Sequence, residues 1–274
     1  MPEPLRLCAL DLDDTLLNSE QLLTSASRAA VASAVETGMA VVLASGRMQA
    51  SAAPFAHELH LASPMISYNG AMVTASVTGA VWLSESVPAE LSESIVAECS
   101  RRGLQLNFYW NDILHTAHDT KWLSLYRSRT HSPVRFENDF AAFCAGKRPT
   151  KLLIVDAPET IDRMLPEYQE RFGASLCVTR SNAEYLEFLP PAANKGNALR
   201  LVAERLGVRQ EETLAIGDSW NDIPMLRWAG VALAVKNCKP EVKSVADEII
   251  GSCDEDGVAA ALMSMRHQFA PPPS

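Results

Sequence analysis

The stretch Leu7–Ser19, LCALDLDDTLLNS, joins an apolar strand to a cluster of acidic residues. Asp11, Asp13 and Asp14 crowd into four positions, although neighbouring carboxylates repel one another and are costly to bury. Continuous apolar strands are typical of parallel sheets, whose ligands bind beyond the carboxyl ends of the strands. The stretch therefore fits two interpretations. It is either a polar strand exit, with Asp14 or Thr15 capping a helix, or one half of a metal site.

The remaining pattern predicts an α/β fold. Apolar strands alternate with helix-like stretches near both ends of the chain, as in MAVVLASG (39–46) and KGNALRLVAERLG (195–207). Between them, polar and aromatic residues alternate in strands of the kind that leave one sheet face in water. We therefore predict a Rossmann-like parallel-sheet core domain, residues 1–84 and 191–270. An α+β domain, residues 85–190, is inserted into it, and residues 271–274 form a disordered tail.

Composition narrows the class of protein. The chain has 274 residues, 47% of them hydrophobic, and a formal net charge of −9. The acidic balance and the lack of a basic stripe argue against a nucleic-acid partner. No apolar run approaches the ~20 residues of a membrane span, and no signal-peptide pattern is present. Six scattered cysteines without a C-x-x-C pair favour a cytoplasmic protein. A monomer and a homodimer both remain open.

A second acidic cluster favours the metal-site interpretation. LAIGDSWNDIPML (214–226) again ends an apolar strand and then supplies Asp218, Asn221 and Asp222. Two acidic strand ends in one parallel sheet would repel each other unless a divalent cation joined them, and hard oxygen ligands suit Mg²⁺.

Two further stretches are suited to an anionic substrate. LASGR (43–47) ends another strand with Ser45, Gly46 and Arg47, where a hydroxyl and backbone N–H groups can hold phosphate oxygens. NKGNAL (194–199) begins a helix with Lys195, which offers a point charge to a phosphate.

These four motifs, in this order, resemble those of the haloacid-dehalogenase-like phosphatase superfamily. SYNGA (67–71) and the inserted domain are similar to its Cof-like type IIB branch. The resemblance implies that the insert is a cap over the active site. It also implies that Asp11 is the nucleophile and Asp13 the acid and base of a phosphatase that forms an aspartyl-phosphate.

The resemblance further implies a residue for each other role. Mg²⁺ would be held by Asp11, by the backbone carbonyl of Asp13 and by Asp218, with Asp222 and Asn221 beside it. Ser45 and Lys195 would hold phosphate oxygens, with Gly46 and Arg47 in the same turn. Thr15 would hold Asp13, and Asp14 would point away from the metal without a catalytic role.

The cap is expected to select a small phosphorylated metabolite. Arg180 and Asn182, in the polar loop of TRSNAEYLEF (179–188), are the expected substrate contacts. The cap aromatics, including Phe108, Tyr109 and Tyr126, are expected to fill the interior of the cap. Two alternatives remain open: a phosphomutase or phosphotransferase on the same scaffold, and a non-catalytic sensor of a phosphorylated metabolite.

Overall fold

The computed structural model describes residues 4–130 and 132–270; the tail for which we predicted disorder, residues 271–274, lies outside them. The strands are β1 (Leu7–Leu10), β2 (Ala40–Leu43), β3 (Met65–Ser67), β4 (Met72–Thr74), β5 (Val81–Ser84), β6 (Gln105–Trp110), β7 (Ile113–Thr116), β8 (Val134–Phe136), β9 (Lys151–Val155), β10 (Cys177–Thr179), β11 (Tyr185–Leu189), β12 (Thr213–Gly217), β13 (Val231–Val235) and β14 (Glu248–Ile250). The helices are α1 (Ser25–Glu36), α2 (Gln49–Glu58), α3 (Ala89–Arg102), α4 (Lys121–Thr130), α5 (Phe140–Cys144), α6 (Pro158–Phe172), α7 (Lys195–Leu206), α8 (Ile223–Trp228), α9 (Pro240–Lys243) and α10 (Gly257–Met265). None of the described helices is long and apolar enough to cross a membrane.

A parallel sheet carries the two acidic motifs side by side. Its order is β14-β13-β12-β1-β2, and β1 pairs in parallel with β12 on one side and β2 on the other. Leu10 is in register with Ile216, so Asp11 and Asp218 leave neighbouring strands at the same edge. The strands read as apolar runs because helices bury them: every residue of β1 is buried. The predicted parallel α/β core is confirmed.

Helix α7 places Lys195 at its first position. Asn194 caps the helix, its Oδ1 accepting from the backbone N–H of Asn197 at 2.8 Å, and Gly207 ends it with a φ of 63°. The helix packs on α8, which follows the second acidic motif. The N-cap at Asn194 fixes where α7 begins, and the sheet places the two acidic strand ends side by side. Together they bring Lys195 toward both of them.

The inserted segment forms a six-stranded mixed sheet of order β10-β11-β9-β6-β7-β8. One face packs on α3 and α6, around residues that include Phe108 and Phe188. The other face carries Tyr109 and Tyr185 and packs against Tyr68 of the core segment. The expectation of a wet face is therefore wrong for β6 and β11, which are buried except at Trp110, because the core segment and α4 cover the second face of the sheet. The aromatics fill the interior as expected, whereas the domain boundaries at 84/85 and 190/191 stay a prediction.

A small antiparallel sheet, β3-β4-β5, extends the core beside the Ser45 turn. The link between β3 and β4 runs through Tyr68, Asn69 and Gly70, with φ values of 51°, 54° and 97°. Asparagine and glycine tolerate this left-handed region better than other residues do. The backbone N–H of Asn69 donates to the carbonyl of Ser45 at 3.0 Å, which fixes the two turns against each other.

Candidate active site

Three carboxylates meet at the carboxyl ends of β1 and β12. Asp11, Asp218 and Asp222 each offer an oxygen within 4.8 Å of the others, and all three are buried. Burial, together with the charge of Asp222, raises the pKa of Asp11 to about 8, although Lys195 opposes the shift. Burial, with the charges of Asp11 and Asp222, raises the pKa of Asp218 well above its ordinary value. The cluster is therefore short of positive charge, and a cation would supply it.

Lys195 lies between two of these carboxylates. Its Nζ donates to Asp11 Oδ1 at 2.5 Å and to Asp222 Oδ1 at 2.6 Å, and the side chain is fully buried. Burial alone would lower the pKa of Lys195, but Asp11 and Asp222 outweigh it and raise the pKa above its ordinary value. The ammonium group is thus charged and fixed next to the predicted nucleophile.

Asp222 holds other parts of the site in place. While its Oδ1 accepts from Lys195, its Oδ2 accepts from the backbone N–H groups of Asp218 and Ser219, both at 2.9 Å. Gly217 makes this arrangement possible, since a Cβ at that position would lie 2.6 Å from Cβ of Asp222. Asp222, which we predicted as a metal ligand, is engaged through both oxygens in fixing the lysine and the turn.

Asp13 faces the cavity and is held by Arg47. The Nε of Arg47 donates to Asp13 Oδ2 at 2.9 Å, and one terminal nitrogen donates to Oδ1 at 2.5 Å. The same terminal nitrogen donates to Gln21 Oε1 at 2.5 Å. The side chain of Arg47 is only 4% exposed, whereas that of Asp13 is 41% exposed. Arg47, predicted as a substrate contact, is therefore committed to orienting the predicted acid and base.

The Ser45 turn and Thr15 complete the core side. Ser45 is fully buried, and its Oγ accepts from the backbone N–H of Arg47 at 3.0 Å, which shapes the turn. Thr15 donates from Oγ1 to Asp218 Oδ1 at 3.3 Å. The expected contact of Thr15 with Asp13 is thus replaced by one with Asp218, at the end of the neighbouring strand β12.

A cavity of about 320 Å³ opens above these groups, between the core and the cap. Its wall includes Asp11, Asp13, Asp14, Ser19, Gln21, Gly46, Arg129, Thr130, Ser181, Asn182, Tyr185, Asp218, Ser219 and Asn221. Asp14 therefore borders the cavity but is not one of the three clustered carboxylates, and the expectation that it points away from the metal stays a prediction. Its backbone φ of 57° turns the chain there.

The two predicted cap contacts separate in the structure. Asn182 lies in the cavity wall, and its Oδ1 accepts from the backbone N–H of Ala183 at 2.7 Å. Arg180 lies outside the wall that the described residues form. Its guanidinium donates to Asp162 at 2.6 Å and lies over the ring of Trp220 at 4.6 Å. Arg180 is thus placed where it joins the cap to the core and not where it meets a substrate.

Sequence reasoning missed several cavity residues, of which Arg129 and Tyr185 are the largest. Arg129 donates to Glu184 at 3.2 Å and lies 5.7 Å from the Tyr185 ring. Arg129 is on α4 and Tyr185 on β11, distant in sequence, so no local spacing relates them. The alternation in β11 is the available signal, but by itself it indicates a strand with one face in solvent.

The donor set fits a hard cation. Asp11 and Asp218 supply carboxylate oxygens, and the buried Oδ1 of Asn221 has no hydrogen-bond partner within the described chain. Asn221 belongs to the same cavity wall as Asp11 and Asp218, so its unpaired oxygen is a further candidate acceptor at this end of the cavity. All-oxygen donor sets of this kind are preferred by Mg²⁺.

Comparisons with known proteins agree with this geometry. Residues 8–262 match the family model of the haloacid dehalogenase-like hydrolases. The YxeH protein of Bacillus subtilis is 31% identical over 94% of this chain and 97% of its own. The 5-amino-6-(5-phospho-D-ribitylamino)uracil phosphatase YcsE of Bacillus subtilis is 28% identical over 94% of both chains. A haloacid dehalogenase-like hydrolase from Bacteroides thetaiotaomicron superposes with a TM-score of 0.86 at 30% identity, covering 95% of this chain and 99% of that one. The chain therefore belongs to the haloacid dehalogenase-like hydrolase family.

Proposed function

We propose that this protein is a Mg²⁺-dependent phosphatase that hydrolyses a small phosphorylated metabolite through an aspartyl-phosphate on Asp11. The observation that carries the proposal is the buried Lys195, which is held between Asp11 and Asp222, while Asp11 and Asp13 both line the cavity. A nucleophile fixed beside a cation, opposite a second carboxylate aimed by Arg47, is what two-step phosphoryl transfer needs.

In the first step a carboxylate oxygen of Asp11 attacks phosphorus, and the bond from phosphorus to the leaving oxygen breaks. Asp13 supplies the proton to that oxygen. In the second step Asp13 takes a proton from water as the water attacks phosphorus, which frees inorganic phosphate and restores Asp11. Arg47 keeps the Asp13 carboxyl group in place through both steps. Lys195 and the Ser45–Arg47 turn hold the remaining phosphate oxygens.

Mg²⁺ would be held by Asp11, Asp218, the carbonyl of Asp13 and the Oδ1 of Asn221, with Asp222 fixing the turn behind them. When bound, it offsets the charge of the carboxylates and of the phosphate. The raised pKa values of Asp11 and Asp218 support this site, because they show that the buried carboxylates lack enough positive charge around them.

The substrate is proposed to be a sugar phosphate, a nucleotide or a phosphorylated cofactor. The cavity is small and its outer wall carries hydroxyl, amide and phenol groups, among them Ser181, Asn182 and Tyr185. The relative YcsE is named for a phosphorylated ribityl compound. A cytoplasmic location, with no nucleic-acid or membrane partner, is part of the proposal.

The test is phosphate release from a panel of phosphorylated metabolites, with and without Mg²⁺ and with EDTA. We expect turnover that needs Mg²⁺, and a loss of about 10³-fold or more in kcat for Asp11→Asn. The exposed Asp119→Asn serves as the matched control and should retain activity. Turnover by Asp11→Asn near the unmodified rate would refute the nucleophile. Transfer of phosphate to an added sugar alcohol would favour a phosphotransferase, and tight binding without turnover a sensor.

A further inference from the structure

Three hydrogen-bonded polar side chains, Glu187, Asn69 and Asn221, connect the cap to the acidic end of the cavity. Asn69 donates from Nδ2 to Glu187 Oε2 at 2.6 Å, and its Oδ1 accepts from Nδ2 of Asn221 at 2.9 Å. Glu187 and Asn69 are 1% and 2% exposed, so water does not compete for these groups. A mispaired amide in such a place costs the full desolvation of its polar atoms. We call these three residues the amide relay.

The charge of Glu187 sets the direction of the relay. An ionised carboxylate only accepts hydrogen bonds, so Asn69 must turn its NH₂ group toward Glu187 and its oxygen toward Asn221. Asn221 must then turn its own NH₂ group toward Asn69. The carbonyl oxygen of Asn221 is what remains, buried and without a partner in the described chain, in the wall shared with Asp11 and Asp218.

The carboxylate of Glu187 is itself held on the cap. Lys151, 2% exposed, lies 3.5 Å from Glu187 Oε2 and donates to the carbonyl of Gly46 at 2.8 Å. Ser181 donates to the other carboxylate oxygen. Lys151 supplies the positive charge that a buried carboxylate requires, and it connects β9 and β11 to the Ser45 turn.

Gly46 leaves room for the relay. A Cβ at this position would lie 2.8 Å from Oδ1 of Asn69, the atom that accepts from Asn221. Asn69 is also held by its left-handed backbone and its bond to Ser45. Its side chain therefore has few alternatives except a flip of the amide, which Glu187 prevents.

We propose that Glu187 is a positioning residue for the metal end of the active site. Acting through Asn69, it presents the Asn221 carbonyl oxygen to the cavity as an acceptor for Mg²⁺ or for its bound water. The proposal rests on the Mg²⁺ site of the proposed function. Since Glu187 belongs to the cap, the acidic end is complete only when the cap lies on the core as seen here.

The relay can be reversed by two substitutions. Asn221→Asp places a carboxylate oxygen against the Asn69 oxygen, so two acceptors face each other. Glu187→Gln places an NH₂ donor on the side of Asn69 that now faces a carboxylate. In the double variant Asn69 can flip, accepting from Gln at 187 and donating to Asp at 221. In EDTA we expect Asn221→Asp to lower Tm by about 3–6 °C and the double variant to recover at least half of that loss.

An Asn69→Ala background separates orientation from charge. Glu187→Gln also removes a negative charge, and relief of simple repulsion would persist without Asn69, whereas relief through the relay would vanish. Loss of the recovery in Asn69→Ala supports the proposal. Additive effects of the two substitutions, or a recovery that survives Asn69→Ala, would overturn it. If Glu187→Gln does not fold because Lys151 loses its partner, the same single and double variants are made in a Lys151→Gln background. That background leaves the orientation of the Asn69 and Asn221 amides unchanged.

Binding of Mg²⁺ gives the second readout. By titration calorimetry we expect Glu187→Gln to weaken Mg²⁺ about 3- to 10-fold, because the neutral side chain no longer holds the amides in one orientation. Ser181→Ala, which removes a hydrogen bond to Glu187 without changing its charge, should weaken it less; an equal effect would count against the relay. Both readouts work without substrate, so a failed relay is distinguishable from a failed phosphatase assignment.

Discussion

The two walls of the cavity are built in different ways. On the core wall, Asp11 and Asp218 stand at strand ends and are nearly buried, and behind them the fully buried Lys195, at a helix start, donates to Asp11. On the cap wall, Asn182 and Tyr185 come from a loop and a strand whose position depends on how the cap packs on the core. The core wall is thus set by the sheet, and the cap wall by a contact between two separate sheets. We expect substitutions to have larger and less selective effects on the core wall.

The largest effect is expected for Lys195→Met. The change leaves Asp11 and Asp222 without their shared cation, so orientation of the nucleophile and charge for the phosphate are lost together. We expect kcat/KM to fall by about 10³-fold and the free energy of unfolding by about 3–5 kcal/mol at pH 8. Steady-state kinetics and urea unfolding measure the two effects. The exposed Lys243→Met should change neither, and a Lys195→Met enzyme that keeps its turnover would contradict the proposed core wall.

A smaller effect of the same wall is a dependence of stability on pH in the metal-free protein. The pKa of Asp11 is about 8 when folded, against an ordinary 3.8, so the folded state holds a proton that the unfolded chain releases between these values. Stability is therefore lost as pH rises through this window. In EDTA we expect the free energy of unfolding to fall by about 1 kcal/mol per pH unit from pH 6 to 8.

Saturating Mg²⁺ should reverse this dependence, because the cation binds the ionised carboxylates. The gain in Tm on adding Mg²⁺ is thus expected to be larger at pH 8 than at pH 6, as scanning calorimetry can measure. A metal-free protein whose stability is level across pH 6–8, or a gain from Mg²⁺ that shrinks with rising pH, would contradict the proposal that burial and mutual repulsion raise the pKa of the clustered carboxylates.

The difference between the walls also explains what the sequence could predict. Asp11, Ser45 and Asp218 each directly follow an apolar strand, so local pattern locates them, and parallel pairing brings them together. The partners that orient them are distant in the chain: Arg47 reaches back to Asp13, and Glu187 reaches Asn69 across 118 positions. No spacing encodes such pairs.

The cap sheet illustrates the same limit. Strand β11, YLEFL, alternates Tyr185, Glu187 and Leu189 on one face, which by itself indicates a half-solvated strand. That face is covered by the core, so the glutamate is buried. Only the packing of one sheet on the other distinguishes a solvated charge from a buried one.

The smallest and most selective effect is expected on the cap wall, where Asn182 and Arg180 form a matched pair. They are two positions apart in one loop, yet Asn182 lines the cavity and Arg180 is held by Asp162 over Trp220. Asn182→Ala should therefore change the ratio of kcat/KM between two phosphorylated substrates by about 3- to 10-fold, mostly through KM, since one polar contact contributes about 1 kcal/mol. Arg180→Ala removes the cap–core contact and should lower kcat/KM for all substrates by a similar factor. The panel used for phosphate release measures both. A change of preference in Arg180→Ala, with none in Asn182→Ala, would exchange their roles and restore the expected substrate contact of Arg180 alone.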